Sequence, residues 1–233
     1  IAGYHSEKNI LKKYFISEIK KEEKGEKANV PGSVLFFGPT GNGKTTFAKA
    51  FAKETECEII PMRLRLNNPN KYNLFWDKLV ETAEKAEDKF KNTNKRTIIF
   101  IDEFAKIANE ESPITEKIGK FLENCSDKYH CTVFAATNNP LSIKLPLTGK
   151  KSVFPYKISM DPPNAENKAE VLQYYLEDRV PKDTNYNELA YRMEDVEEKT
   201  GGLFNIAQIK EQMEQGNQKS LSIEEVCNRI DNS

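Results

Sequence analysis

Residues 33–46 read Ser33-Val34-Leu35-Phe36-Phe37-Gly38-Pro39-Thr40-Gly41-Asn42-Gly43-Lys44-Thr45-Thr46, an apolar stretch running into a glycine-rich loop. Gly38, Gly41 and Gly43 let the backbone turn tightly enough to aim N–H groups at phosphate oxygens. Lys44 is spaced to reach β- and γ-phosphates, and the Thr45 hydroxyl can ligate Mg²⁺. A helix starting at Lys44 adds the positive end of its dipole. Context separates this pattern from an ordinary glycine turn: Ser33–Phe37 reads as a strand, and Thr45 to Ala52 as the helix that must follow. The chain is therefore read first as a binder of nucleoside triphosphates with Mg²⁺. Pro39, Thr40, Gly41, Asn42, Gly43, Lys44, Thr45 and Thr46 are the candidate phosphate contacts.

Composition bounds the rest. With 233 residues, 38% of them hydrophobic, the chain can bury a real core, as one large α/β domain or a domain with a small satellite. No run of about 18 apolar residues is present, and the first residues lack an apolar signal core, so no membrane segment is expected. The missing initiator Met suggests a piece of something longer. Cys57, Cys125, Cys131 and Cys227 have neither C-x-x-C spacing nor a companion His pair, which reads as structural thiols in a reducing cytoplasm. Thirty-five basic and 36 acidic residues leave a net charge of −1, giving no global electrostatic reason to expect nucleic acid or anionic lipid.

Along the chain helix and strand alternate. Residues 5 to 24 read as a helix with an apolar stripe of Ile10, Leu11, Phe15 and Ile19. Glu58–Met62 is a strand weakened by Pro61. Tyr72 to Phe90 reads as an amphipathic helix through Leu74, Phe75, Leu79, Thr82, Ala83 and Ala86. Thr97–Ile101 and Thr132–Ala136 are uninterrupted apolar runs, the signature of parallel strands buried on both faces. Between them Ser112-Pro113 is expected to start a helix carrying Ile118, Phe121 and Leu122. Val153–Ile158 suggests an edge strand. Beyond Pro162-Pro163 the strand signal ends: Asn164 can cap a helix, and further helices are expected at about 187–198, 204–215 and 222–231. A boundary near residue 160 therefore separates an α/β nucleotide-binding domain, 1–160, from an all-helical domain, 161–233.

A second motif is the apolar strand ending in Asp102-Glu103. A carboxylate at the C-terminal edge of a parallel strand sits where open α/β sheets bind ligands, so Asp102 suits the metal shell and Glu103 a water facing the γ-phosphate. A third is Thr137-Asn138 at the end of the next strand, where Asn138 can offer an amide to that water or phosphate.

With these residues in place the chain resembles the AAA+ ATPases, and among them the AAA proteins typified by membrane-protease and remodelling ATPases. Ile1-Ala2-Gly3 stands before a lysine-bearing helix, Gly38 to Thr45 matches Walker A, Ile98 to Glu103 Walker B, and Ala136-Thr137-Asn138 sensor 1. Lys199 to Ile209 is similar to the turn that opens the family's lid helix. The resemblance implies a five-stranded parallel sheet of order 5-1-4-3-2 flanked by helices, with a C-terminal helical lid. It implies adenine held near Ala2 and Gly3 and between the two parts, with Asn205 and Ile206 as lid-side candidates. It also implies homo-oligomeric rings, such as hexamers.

Departures from the family pattern matter equally. No Arg lies between Arg96 and Arg179, where the family places an arginine finger. The corresponding stretch offers Lys150 and Lys151, which act either as a partial substitute or as ordinary surface charges; a lysine is a point charge and lacks the planar bidentate fork. No aromatic-Gly pore motif follows the second strand. Tyr72, Phe75 and Trp76 fall at helical spacing, where the core is the commoner fate. A sensor 2 arginine is absent from the lid turn. Two functions stay open: an ATP-hydrolysing module that remodels a protein partner, and a nucleotide-gated binding or scaffold module with slow or partner-dependent hydrolysis. Replication-type action on DNA is disfavoured by the balanced charge, and a small-molecule kinase by the absence of an acceptor-binding insertion.

Overall fold

The uninterrupted apolar runs become the central strands of one parallel sheet in the computed structural model, which describes residues 2–149, 152–215 and 220–232. The strands are β1 (Ser33–Phe37), β2 (Glu58–Met62), β3 (Thr97–Ile101), β4 (Cys131–Thr137) and β5 (Tyr156–Ser159). Their order is β2-β3-β4-β1-β5, all pairs parallel. Read from the other edge this is the expected 5-1-4-3-2. Every residue of β3 and β4 is buried, as strands covered on both faces must be. Pro61 is tolerated because β2 is an edge strand, where a missing N–H breaks no second ladder.

Around the sheet run α1 (His5–Leu11), a π-helical turn (Lys12–Ile16), α2 (Ser17–Glu23), α3 (Lys44–Glu54), α4 (Lys71–Thr93) and α5 (Thr115–Tyr129). Alternation along β4 sends Val133 and Ala135 into a core with Leu79, Ala83, Ile118 and Leu122. Phe134 meets Phe15, Phe36 and Phe51, with ring centroids at 6.0, 5.3 and 4.9 Å. Phe75 is in the core, and Tyr72 and Trp76 pack on it, so these aromatics follow the core reading. Leu74 does not: it is 52% exposed.

Two boundaries differ from expectation. Ser112-Pro113 does not start α5; the Ser112 carbonyl accepts from the Thr115 N–H (3.4 Å) and hydroxyl (3.1 Å), closing a turn that delays the helix to Thr115. The last strand begins at Tyr156: the Val153 N–H donates to the Pro146 carbonyl at 3.0 Å, the Val153 carbonyl accepts from the Ser33 hydroxyl at 2.5 Å, and Pro155 has no N–H to give.

The described chain divides into two compact units: a sheet unit of residues 6–38 and 44–159, and a helical unit of residues 2–5, 39–43 and 160–232. The helical unit contains α6 (Ala165–Leu176), α7 (Tyr186–Thr200), α8 (Ile206–Glu214) and α9 (Ile223–Asp231). Side chains of Asn164, Asn185, Asn205 and Ser222 cap these four, the last two as capping boxes with Gln208 and Glu225. Their apolar faces share a core that includes Leu172, Leu176, Met193, Ile209 and Val226. Among the described residues no helix is long and apolar enough to cross a membrane.

At the foot of the sheet unit Arg96, 2% exposed, places Nε and a terminal nitrogen on Glu22 at 2.8 and 2.6 Å, and another nitrogen on the Cys131 carbonyl at 3.1 Å. Removing Glu22 strands a buried guanidinium. Glu22→Ala should therefore lower the unfolding free energy by about 3 kcal/mol, read from urea midpoints, whereas Lys20→Ala on the exposed face of the same helix should change it little. Equal midpoints for the two variants would contradict the assignment.

Candidate functional site

The loop after β1 is shaped by glycines in the left-handed half of backbone space: Gly38 has φ 139°, Gly41 89° and Gly43 81°. L side chains are strained there, and this is what the tight phosphate-loop turn requires. Within the sheet unit the Gly38 N–H donates to the Thr137 carbonyl at 3.3 Å, extending the β1–β4 ladder by one residue, and Lys44 Nζ folds back to donate to the Gly38 carbonyl at 2.7 Å. Burial pushes the Lys44 ammonium's pKa down, and the negative charge of Asp102 opposes that shift. Thr45 and Asp102 line the same cleft of about 680 Å³, together with Lys49, Arg63 and Phe100.

Asp102 stands one residue past β3. Its N–H donates to the Met62 carbonyl at 3.1 Å, Oδ1 accepts from the Glu103 N–H at 2.9 Å, and Oδ2 is ion-paired with Arg63. Glu103 adopts φ 53°, which turns its exposed carboxylate towards an ion pair with Lys106. Asn138 follows β4 on the surface and lines a cleft with Lys106, Asn109 and Ser142.

The helical unit holds the remaining loop residues. Asn42 is fully buried and its Nδ2 donates to the Met160 carbonyl at 2.9 Å. The Ala207 N–H donates to the Gly41 carbonyl at 3.1 Å, and a Cβ added at Gly41 would come within 2.7 Å of Asn205 Oδ1. Asn205 and Ile206 thus lie beside Gly41 and Gly43, while Pro39 and Thr40 are exposed. Thr46, in the sheet unit, is exposed as well. At the amino end the Gly3 N–H donates to Glu170 Oε2 at 2.7 Å and the Tyr4 N–H to Asn167 Oδ1 at 3.0 Å, with His5 Nε2 2.5 Å from Glu170 Oε1. Ala2 packs on the helical core.

The residues present fit a nucleotide and its metal. Within the sheet unit an ammonium folded onto the Gly38 carbonyl, and a hydroxyl and a carboxylate sharing one cleft, are parts such a ligand needs. Sequence reasoning missed Arg63, Asn167 and Glu170. Arg63 was findable, since it follows the strand that pairs with β3; the other two are more than 160 positions from their partners. Lys150 and Lys151 lie outside the described residues.

Comparison with known proteins bears on the family and the fold. The chain is 27% identical over 202 residues to a "Cell division cycle protein 48 homolog" of Archaeoglobus fulgidus, a match covering 82% of this chain and 27% of that protein. It is 28% identical over 207 residues to "Protein CdcH" of Halobacterium salinarum, again covering 82% and 27%. The chain therefore spans about a quarter of the length of these relatives. A crystal structure of the FIGL-1 AAA domain in complex with ADP superposes with a TM-score of 0.69 at 18% identity, covering 98% of this chain and 81% of that one, and shows the same fold. The family model for the ATPase family associated with various cellular activities (AAA) matches residues 34–160, more than half of the chain, from β1 to the residue after β5, and the protein belongs to that family.

Proposed function

We propose that this chain binds ATP with Mg²⁺ at residues 38–46 and hydrolyses it as the nucleotide-binding module of a homo-oligomeric ring, such as a hexamer, that remodels a protein partner in the cytoplasm. The observation that carries the reading lies within the sheet unit: the start of α3 and the end of β3 converge, so that Thr45 and Asp102 line one cleft and the Lys44 ammonium responds to Asp102. Lys44 faces the β- and γ-phosphates, and the N–H groups of Thr40 to Gly43, with the backbone of Pro39 and with Thr46, complete the phosphate contacts. Thr45 and Asp102 hold the cation, which supplies charge neutralisation at the phosphate oxygens. Glu103 orients the attacking water, and Asn138 offers its amide to that water or to the γ-phosphate. Ala2, Gly3, Asn205 and Ile206 are assigned to the adenine side, with residues 161–233 as the lid domain and 1–160 as the nucleotide-binding domain. The free thiols of all four cysteines support the cytoplasmic assignment.

One observation favours a slower, partner-dependent variant of the same site: the 82 residues between Arg96 and Arg179 include no arginine to serve a neighbouring subunit. Arginine fingers contribute factors of about a thousand or more, and lysine replaces only part of the fork's contact. ATP turnover measured against protein concentration, with sedimentation in parallel, separates the two. Ring-dependent hydrolysis raises turnover per subunit as subunits associate; turnover that stays constant while rings form would contradict it.

A further inference from the structure

Arg63 and Asp102 are brought together by the sheet. In the parallel pair β2–β3, Met62 lies opposite Ile101, and the Asp102 N–H continues the ladder to the Met62 carbonyl at 3.1 Å. The residues that follow, Arg63 and Asp102, therefore leave the sheet side by side, as neighbouring parallel strands in register dictate. One guanidinium nitrogen of Arg63 pairs with Asp102 Oδ2, and Oδ1 is already occupied by the Glu103 N–H. The two partners are unequal: the Arg63 side chain is 68% exposed, whereas that of Asp102 is 17% exposed. A largely buried carboxylate is thus closed by a cation on a long, solvated and easily withdrawn stem, at the edge of the cleft that Thr45 also lines.

We infer that Arg63 is the resident counter-ion of Asp102 and competes with the divalent cation for Oδ2, so that it sets the metal concentration at which the nucleotide site loads. This rests on the proposed assignment of Thr45 and Asp102 to the metal. A free carboxylate beside a phosphate loop would attract a cation whether or not nucleotide was present; one neutralised by its own arginine gives it up only when phosphate oxygens supply additional ligands. The guanidinium is largely solvated, so withdrawing it is cheap, and Arg63 tunes loading without blocking it. Arg63 acts through Asp102 and is a positioning residue.

The test is a Mn²⁺ titration, followed by electron paramagnetic resonance, of the whole chain with a non-hydrolysable ATP analogue. Arg63→Ala should lower the Mn²⁺ concentration at half-loading by about twofold to fivefold, while Arg63→Lys, which keeps the charge, should stay close to the parent. Nucleotide affinity in EDTA should not rise in either variant. An unchanged half-loading concentration in Arg63→Ala, with nucleotide still bound, would overturn the counter-ion role alone. A higher half-loading concentration together with weaker nucleotide binding in EDTA would overturn it in favour of a phosphate clamp. A parental chain that binds no nucleotide would overturn the site assignment and this inference with it. Because the Arg63 side chain is largely solvated, loss of folding is not expected, and circular dichroism checks it.

Discussion

Glu103→Gln is expected to bind Mg-ATP with parental affinity and to hydrolyse it at least about a hundredfold more slowly. The residue follows Asp102 in the left-handed conformation, φ 53°, and its carboxylate is ion-paired with Lys106. Glutamine preserves the length and the shape but cannot accept a proton or polarise water as a carboxylate does. The substitution also removes the ion pair with Lys106, an exposed i,i+3 contact worth a few tenths of a kcal/mol, so the fold should survive. The N–H that Glu103 gives to Asp102 Oδ1 belongs to the backbone and is retained. Calorimetry and phosphate release on the same preparation check both halves. Parental turnover in the variant would remove Glu103 from the chemistry.

Much of this architecture was legible because it is written in local pattern. Val34 to Phe37, Ile98 to Ile101 and Val133 to Ala136 can be satisfied only where both faces of a strand are covered, and all become central strands. The glycines of the phosphate loop announce positive φ, and Asn164, legible as a cap, is where α6 begins. What was not legible depends on partners far away in the chain. The Arg63–Asp102 pair exists because β2 and β3 lie in register, 39 positions apart in sequence. Residues 2–5 are tied down by Asn167 and Glu170, which as isolated residues in a charged helix carry no sign of it. Leu74 fits the apolar stripe of α4 by periodicity, yet its position near the start of the helix lines the cleft beside Arg63 and faces solvent. Val153 and Phe154 have strand propensity, but the Val153 N–H goes to the Pro146 carbonyl and not to a neighbouring strand. Tertiary context overrode propensity at each of these positions.

Lys44→Ala should show the largest effect on binding. Its ammonium is folded back onto the Gly38 carbonyl; burial lowers its pKa and the negative charge of Asp102 opposes that shift. Charged hydrogen bonds to phosphate oxygens are worth up to about 3 kcal/mol, so their loss is expected to weaken ATP binding by about a hundredfold. The fold should be unaffected, since Lys44 is the half-buried first residue of α3 and alanine is the better helix former. Titration calorimetry of Mg-ATP into parent and Lys44→Ala, with circular dichroism on both, tests the nucleotide site most directly. Measurable binding in the parent that disappears in a normally folded variant is the expected result; equal affinity in two equally folded proteins would contradict it.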